Sequence, residues 1–184
     1  MALTATMYHL LVALSDVDRG VYETLDLRLA RHPSETMRFL LTRLLAYCLS
    51  YEDGIAFSKG GLSSAADAPI TVHDRTGLLL AWIDIGAPSA ERLHKAAKAA
   101  PRVALFTVTD LVTLRREAAT RPIHKLADIE VWRMEPAFID ALAERIDRNT
   151  KLELVRTDGQ LYLTIDGRLL EGTLTRCSLV AEDA

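Results

Sequence analysis

Residues 78 to 108 read LLLAWIDIGAPSAERLHKAAKAAPRVALFTV, and the order of segments within them decides the fold. The apolar run from Leu78 to Ile85 is interrupted only by Asp84, as expected for an interior strand that other elements cover on both faces. A helical segment from Ser89 to Ala100 lies between two prolines, and a second apolar strand runs from Arg102 to Val108. Strand, helix and strand in this order predict a right-handed parallel crossover and therefore an α/β fold.

Downstream of this crossover, the predicted elements continue as helix, strand and helix and end in three short strands. They are a helix from Asp110 to Thr120, a strand from Ile129 to Met134, a helix from Pro136 to Asp147, and strands at Leu152 to Val155, Leu161 to Leu163 and Leu169 to Leu174. Asp158-Gly159 and Asp166-Gly167 separate the last three strands and are strong hairpin signals. We therefore expect a C-terminal antiparallel meander.

Upstream, residues Ala5 to Leu29 predict a β-hairpin whose polar turn ends at Gly20. A helix follows, because apolar residues recur at helical spacing after Pro33 and Ser34. Its apolar positions are Met37, Leu40, Leu41, Leu44, Leu45, Cys48 and Leu49. A short strand, Ile55-Ala56-Phe57, precedes a glycine- and serine-rich loop at residues 59–64 that its composition predicts to be flexible.

The composition is that of a globular protein. The 184 residues are 49% hydrophobic and 26% charged, so we expect a single domain over residues 1–184. Lysine and arginine total 22 against 25 aspartates and glutamates, which gives a net charge of -3. No global basic field draws the chain to nucleic acid or to a membrane, so any phosphate contact must be local.

The two cysteines, Cys48 and Cys177, are far apart in sequence, which argues against a zinc knuckle and a disulfide framework. Cys48 lies on the apolar stripe of its helix and is predicted to be a core residue. The N-terminal residues lack the features of a signal peptide, and the longest apolar runs, such as Leu78 to Ile83, are too short to span a bilayer. We expect a cytoplasmic protein that is not inserted in a membrane.

The motifs of the common enzyme classes are absent from the sequence. No two of the five histidines lie two to four residues apart, so a histidine-based metal site is not expected. The glycines form neither a dinucleotide-binding fingerprint nor a P-loop, and no serine stands in a nucleophile elbow. A small-molecule α/β enzyme would need a cofactor motif that this sequence lacks.

Asp84 is the residue whose position most needs a chemical reason. A carboxylate among buried aliphatic residues is costly unless it is paired, hydrogen-bonded or bound to a cation. The carboxyl ends of α/β strands are also where ligands collect, so one interpretation makes Asp84 part of a binding site. In the other interpretation, Asp84 caps the next helix or pairs with a nearby lysine.

Glu35 and the basic residues each permit a functional and a structural interpretation. Glu35 is either a second carboxylate that faces Asp84 or a first-turn residue that the helix dipole favours. Arg92, Lys95 and Lys98 are spaced three apart and form a basic ridge, which either follows a phosphate backbone or is a solvated helix face.

The chain resembles the YaeQ family of bacterial proteins in six motifs that together cover nearly its whole length. These are Ala30-Arg31-His32-Pro33-Ser34-Glu35-Thr36, Phe57-Ser58-Lys59-Gly60, Thr76-Gly77, Trp82-Ile83-Asp84-Ile85-Gly86, Glu91-Arg92 and Lys95-Ala96. The resemblance implies a divergent branch of the PD-(D/E)XK nuclease-like, restriction endonuclease-like fold, whose core runs helix, three strands, helix, strand. The expected fold class is therefore α/β, with a mixed central sheet, flanking helices, an N-terminal β-hairpin and a C-terminal meander.

The same resemblance implies roles for particular residues. Glu35 and Asp84 would hold Mg²⁺, whose bound water attacks a phosphodiester. Gly86 occupies the position of the catalytic lysine of those nucleases, so Lys95 or Lys98 of the following helix would substitute, with Lys95 as the first choice and Lys59 as a more distant candidate. The groups expected to bind phosphate are Arg31, Lys59, Arg92 and Lys98.

Three further departures from the pattern of the relatives predict impaired catalysis. Asp67-Ala68-Pro69-Ile70 replaces the expected Pro-Asp, Ala87 replaces a glutamine, and Leu80 replaces a residue that is often acidic. We therefore expect Mg²⁺-dependent nucleic-acid binding with weak or lost hydrolysis and no robust cleavage of duplex DNA. The alternative is a non-catalytic protein-interaction or regulatory domain that retains the fold, with a protein as its partner.

Overall fold

The computed structural model describes residues 4–59 and 66–181, which divide into two compact units. The first unit combines Met1–Leu49 with Met134–Leu174, and the second combines Ser50–Arg133 with Thr175–Ala184. The single domain over residues 1–184 stays a prediction. Residues 60–64 of the glycine- and serine-rich loop lie outside the described residues.

The described residues form ten strands and four α-helices, which we number in chain order. They are β1 (Thr6–Asp16), β2 (Val21–Arg31), α1 (Met37–Leu49), β3 (Ile55–Phe57), β4 (Ile70–His73), β5 (Leu79–Ile85), α2 (Ala90–Ala99), β6 (Arg102–Thr107), α3 (Leu111–Ala118), β7 (Glu130–Met134), α4 (Pro136–Ala143), β8 (Asn149–Thr157), β9 (Gln160–Ile165) and β10 (Arg168–Cys177). None of these helices combines the length and the hydropathy that a membrane span requires.

The sheet of the first unit has the strand order β2-β1-β8-β9-β10. β1 and β2 form the predicted antiparallel hairpin, and β8, β9 and β10 form the predicted antiparallel meander. β1 also pairs in parallel with β8, with Val12 opposite Leu152, which makes this sheet mixed. Leucines alternate along β2 and bury one face of the strand, and Cys48 of α1 is fully buried, so its predicted core position is confirmed.

The sheet of the second unit has the order β3-β4-β5-β6-β7. β5, β6 and β7 are parallel and are connected through α2 and α3, while β4 is antiparallel to both of its neighbours. The predicted parallel crossover and the interior position of β5 are therefore confirmed, and both units have a mixed α/β architecture. β4 was not predicted as a separate strand because Ile70–His73 is too short to give a clear alternating pattern.

The buried face of α2 organises the core of the second unit. Leu93, Ala96 and Ala100 of this helix segment pack in one cluster with Trp82 and Leu105 of the sheet. Of the basic residues of α2, Lys95 and Lys98 are exposed and Arg92 is partly buried at the edge of this face. The hydroxyl of Ser89 caps α2 by accepting a hydrogen bond from the N–H of Arg92, which fixes where that helix begins.

Three sequence predictions need correction. Glu35 is not in the first helical turn, because α1 begins at Met37 and the Thr36 hydroxyl accepts a hydrogen bond from the Phe39 N–H as a cap. The helix predicted to reach residue 147 ends at Ala143, where the chain turns. Leu78 precedes β5 and is 62% exposed, so the buried apolar run is shorter than predicted.

Candidate functional site

Asp84 is a buried carboxylate whose oxygens are engaged by neighbours in the second unit. Its Oδ2 accepts a hydrogen bond from Nε of Arg92 at 2.6 Å and another from Nε1 of Trp82 at 3.1 Å. Its Oδ1 accepts the N–H of Ile85 at 3.1 Å. Asp84 is 2% exposed, and the Arg92 side chain is 21% exposed. The structural interpretation of Asp84 as an ion-paired residue is therefore realised, with an arginine in place of the expected lysine.

The local sequence accounts for this cluster. Side chains alternate along a strand, so Trp82 and Asp84 lie on the same face of β5, where the indole N–H reaches the carboxylate. The chain turns after β5 and enters α2 at Ala90, which places Arg92 in the first turn of the helix beside the end of the strand. The strand end and the helix start thus bring together two charges that lie eight residues apart.

The basic ridge of α2 is engaged at two of its three positions. Nη2 of Arg92 donates to the carbonyl of Asp67 at 2.8 Å, and Nζ of Lys95 donates to the carbonyl of Ala66 at 2.8 Å. Both cations also lie over the Trp82 ring, 5.7 Å from its centroid for Arg92 and 5.9 Å for Lys95. The two hydrogen bonds hold the backbone of residues 66 and 67 against α2. Lys98 is exposed near the end of the same helix.

A cleft of about 490 Å³ lies on the face of β3, β4 and β5 that carries Trp82. Its lining is polar at several positions and apolar at others. The lining residues are Ala56, Phe57, Ser58, Lys59, Asp67, Ala68, Thr71, His73, Leu79 and Trp82. Lys59, one of the predicted phosphate-binding residues, is exposed at this cleft, and Asp67 is the other charged group that lines it.

Glu35 is held separately, within the first unit. Its Oε1 lies 3.0 Å from Nη2 of Arg43, and both side chains are buried. Its Oε2 accepts the N–H of His32 at 3.1 Å, and Nε of Arg31 donates to the Glu35 carbonyl at 3.0 Å. Nη2 of Arg43 also donates to the carbonyl of Ala30 at 3.0 Å. Burial raises the pKa of the Glu35 carboxyl above its ordinary value, against the opposing effect of Arg43.

The predicted Mg²⁺ ligands do not fit a metal site in this conformation. Each carboxylate is buried and already bound by an arginine and a backbone N–H, whereas Mg²⁺ requires accessible carboxylate oxygens and room for its water ligands. Within residues 4–59 and 66–181, no group of three His, Cys, Asp or Glu side chains is placed to hold a metal. Glu35 and Asp84 belong to different units, and their convergence on one site stays a prediction.

The sequence does not predict the contacts of Arg43 and Trp82 or the polar residues Thr71 and His73 that line the cleft. Arg43 stands among the buried leucines of α1, and an arginine on an apolar helical stripe is the signal that could have indicated a buried partner for an acid. Trp82 is two residues from Asp84, so strand alternation alone places its indole N–H on the same face. Thr71 and His73 gave no signal, because their strand was not recognised.

The chain is similar to known proteins over nearly its whole length. A family model described as YaeQ protein matches residues 1–174. The uncharacterised protein YaeQ of Escherichia coli (strain K12) is 31% identical over 176 residues, which cover 95% of this chain and 97% of that protein. The protein of the same name from Salmonella typhi is 33% identical over 178 residues, with the same coverage of both chains.

Solved structures extend this similarity to the fold. The crystal structure of YaeQ protein from Xanthomonas axonopodis pv. citri superimposes with a TM-score of 0.85 at 28% identity and covers 95% of this chain and 99% of its own. That of YaeQ protein from Pseudomonas syringae has a TM-score of 0.84 at 28% identity and covers 97% of each chain. The architecture described above is therefore shared with solved structures.

Proposed function

This chain belongs to the YaeQ family, and we propose that it binds nucleic-acid phosphate in the cleft beside Trp82 without Mg²⁺-dependent hydrolysis. The proposal combines three elements: a nuclease-like core, a cleft lined by the exposed Lys59, and an acid whose charge an arginine neutralises. Each rests on a different set of residues, so each can be tested by itself.

The observation that carries the proposal is the contact of 2.6 Å between Nε of Arg92 and Oδ2 of Asp84. In a metal-dependent nuclease, the equivalent acid binds the cation that activates water and neutralises phosphate charge. A guanidinium at this position neutralises the acid and removes its repulsion toward phosphate, but it cannot lower the pKa of a water molecule as a metal does. The Arg92–Asp84 pair therefore favours the binding of nucleic-acid phosphate and disfavours hydrolysis of the phosphodiester.

The backbone at Gly86 adds a second reason for the absence of hydrolysis. Gly86 stands where the resembling nucleases have a lysine, and its φ is +82°. A lysine in this left-handed region would be strained, so the backbone itself disfavours the catalytic lysine at this position. Lys95, the proposed substitute, donates to the carbonyl of Ala66 instead.

The order of elements supports the nuclease-like core. α1 is followed in the chain by β3, β4 and β5, then by α2 and β6. This is the helix, three strands, helix and strand expected for the PD-(D/E)XK group, and Asp84 lies near the carboxyl end of the third of those strands. The assignment to that group is part of the proposal, as is the predicted cytoplasmic location.

Two exposed lysines, one in the cleft and one on α2, set the expected strength of nucleic-acid binding. Lys59 lines the cleft and Lys98 is exposed on α2, whereas Arg92 and Lys95 are held by other groups. Few phosphate contacts and a net charge of -3 predict weak affinity with a shallow dependence on salt, because the log-log salt slope is proportional to the number of phosphates contacted.

The alternative function, a non-catalytic interaction domain, is favoured by a different observation in the first unit. β2 ends the sheet there and presents polar side chains on one face. That strand edge offers backbone hydrogen bonds to another polypeptide rather than a site for phosphate.

The binding proposal is tested by fluorescence anisotropy of labelled single- and double-stranded DNA over a series of salt concentrations. Lys59→Gln and Lys98→Gln should each lower the log-log salt slope by about one unit if each lysine contacts one phosphate. Lys151→Gln is the matched control, because Lys151 is an exposed lysine of the first unit.

Binding that falls with salt, with reduced slopes in Lys59→Gln and Lys98→Gln and an unchanged slope in the control, would support the proposal. Absent binding at low salt, or equal effects of all three substitutions, would overturn it. Gel analysis of the same samples with Mg²⁺ tests the second half of the proposal, for which we expect intact DNA.

A further inference from the structure

β2 ends the sheet of the first unit and has a single pairing partner among the described strands, β1. It is eleven residues long, and its residues alternate between buried leucines and exposed polar side chains over most of its length. A long strand at a sheet edge is a template for a further strand unless other features block it. The sequence of β2 therefore determines what this edge can pair with.

The backbone groups that face the open edge can be identified from the hydrogen bonds of β1. The N–H of His9 donates to the carbonyl of Arg148 at 2.7 Å, on the side of β1 away from β2, and His9 stands opposite Arg28. The pair His9 and Arg28 is consequently a non-hydrogen-bonded pair of the hairpin. The N–H and C=O of Arg28 then point to the open edge, and alternation gives Thr24 and Asp26 the same orientation.

A second copy of β2 in antiparallel orientation can pair with these groups in a small set of registers. With the two-fold axis at Leu27, Asp26 of each chain stands opposite Arg28 of the other, and Glu23 opposite Arg31. Moving the axis to residue 26 places two Asp26 side chains opposite each other, and moving it to residue 28 does the same for Arg28. Since like charges directly opposite are destabilising and opposite charges attract, the charges of β2 favour the register centred on Leu27 among these three.

The ends of that register are limited by a contact within the chain. Thr24 stands opposite Ala30, whose carbonyl already accepts a hydrogen bond from Nη2 of Arg43 at 3.0 Å, so the backbone pairing is confined to the residues between them. Leu25 stands opposite Leu29 on the buried face. Asp26 already contacts Nε2 of His9 at 2.6 Å, and both side chains are about half exposed or more. An arginine from a second copy can therefore approach the same carboxylate from the edge.

We infer that β2 is a homodimer interface: two copies of this chain pair their β2 strands antiparallel about Leu27, with reciprocal Asp26 and Arg28 contacts. Such an interface is isologous, as a two-fold axis requires. A single pair of strands buries less surface than an obligate dimer does, so the association is weak and concentration-dependent. This inference does not depend on the proposed phosphate site.

The test is sedimentation velocity of the full chain over a concentration series, with reciprocal charge swaps. Asp26→Arg places two arginines opposite each other, and Arg28→Asp places two aspartates opposite each other. The double variant Asp26→Arg with Arg28→Asp restores opposite charges in the same register. Lys151→Glu is a control on an exposed face of β8, and His9→Ala removes the intrachain contact of Asp26 alone.

We expect a wild-type dimer, a dissociation constant at least about tenfold larger in each single swap, and recovery in the double variant. Both controls should dimerise like the wild type. A wild-type monomer at every concentration would overturn the inference, and so would single swaps that dimerise as well as the wild type or a double variant that fails to recover. Circular dichroism melting confirms that each variant is folded.

Discussion

Nε of Arg92 lies 2.6 Å from Oδ2 of Asp84, at the junction between β5 and α2. The Trp82 indole N–H donates to the same oxygen, so the carboxylate is both neutralised and hydrogen-bonded although it is buried. This relationship links the stability of the second unit to the proposed phosphate site, because the arginine that makes a buried acid tolerable also occupies the oxygen that a metal would need.

The ion pair itself can be measured by a double-mutant cycle with Arg92→Met and Asp84→Asn. Arg92→Met leaves a buried carboxylate without its counter-ion, and we expect a loss of about 2 kcal/mol in the free energy of unfolding. This is less than for a fully buried pair, because the Arg92 side chain is 21% exposed. The double variant should lose less than the sum of the two single variants.

The control for this cycle is Arg121→Met. Arg121 lies 3.7 Å from Glu91, and both side chains are largely exposed, so its removal should change the free energy of unfolding by less than about 1 kcal/mol. Equal losses for Arg92→Met and Arg121→Met in urea titrations would show that burial adds nothing to the Asp84 pair.

The buried Glu35 should give a pH dependence that Glu35→Gln removes. Burial raises the pKa of Glu35 above the ordinary value of 4.5, so the folded state holds the proton more tightly than the unfolded state does. This contribution is fully present below pH 4.5 and is lost as pH rises through the raised pKa. The wild type should therefore lose stability relative to Glu35→Gln as the pH increases above 4.5.

Urea unfolding of both proteins across that pH interval checks this prediction. Asp16 is also buried with a raised pKa, but it is present in both proteins, so its effect cancels in the difference. A difference that moves in favour of the wild type with rising pH would mean that Arg43 outweighs the burial of Glu35.

Two glycines with the same backbone angle should respond very differently to alanine. Gly54 has φ +86° and Gly77 has φ +87°, so both substitutions carry a left-handed penalty of about 1 to 2 kcal/mol. A Cβ at Gly54 would lie 1.8 Å from the carbonyl oxygen of His73, whereas a Cβ at Gly77 would meet nothing within 4 Å. Thermal unfolding should show a loss for Gly54→Ala that is at least about 2 kcal/mol larger. Similar losses of stability in the two variants would contradict the predicted clash between a Cβ at Gly54 and the His73 carbonyl.

The two cysteines should differ in reactivity toward a thiol reagent. Cys48 is fully buried, and burial raises the pKa of its thiol to about 12, so the reactive thiolate is scarce at neutral pH. Cys177 is partly exposed. We expect Ellman's reagent to titrate one thiol in the native protein and two in denaturant. Rapid labelling of a native Cys177→Ser variant would contradict this.

The parts of the fold that the sequence predicts are those with local signals. The first hairpin and the C-terminal meander follow from turns such as Asp158-Gly159, where Asp158 has φ +50° and Gly159 has φ +73°. The parallel pairing of β1 with β8 has no such signal, because it joins residues as distant as His9 and Asn149. Pairing between strands that are distant in sequence depends on how the apolar faces of the elements pack in the folded chain, and no short window of sequence contains that information.

In the candidate site, too, the sequence predicts the individual residues that carry a local signal but not the contacts between them. Asp84 was identified because a charge in an apolar strand requires a partner, and Arg92 was identified as part of a basic ridge. Their contact with each other depends on how α2 packs on β5, and the ridge spacing alone favoured solvent or phosphate for Arg92. Glu35 was identified from its motif, but its place before the Thr36 cap depends on side-chain hydrogen bonding that helical periodicity does not encode.

The most direct test of the central claim is the affinity for labelled single-stranded DNA in EDTA and in Mg²⁺ at matched ionic strength, with Trp82 emission followed in a Trp132→Phe background. Because Arg92 already neutralises Asp84, the account predicts the same affinity in both buffers, an altered Trp82 emission on binding and intact DNA. Binding that requires Mg²⁺ and is abolished by Asp84→Asn would contradict it, because the acid would then be serving a metal rather than the arginine.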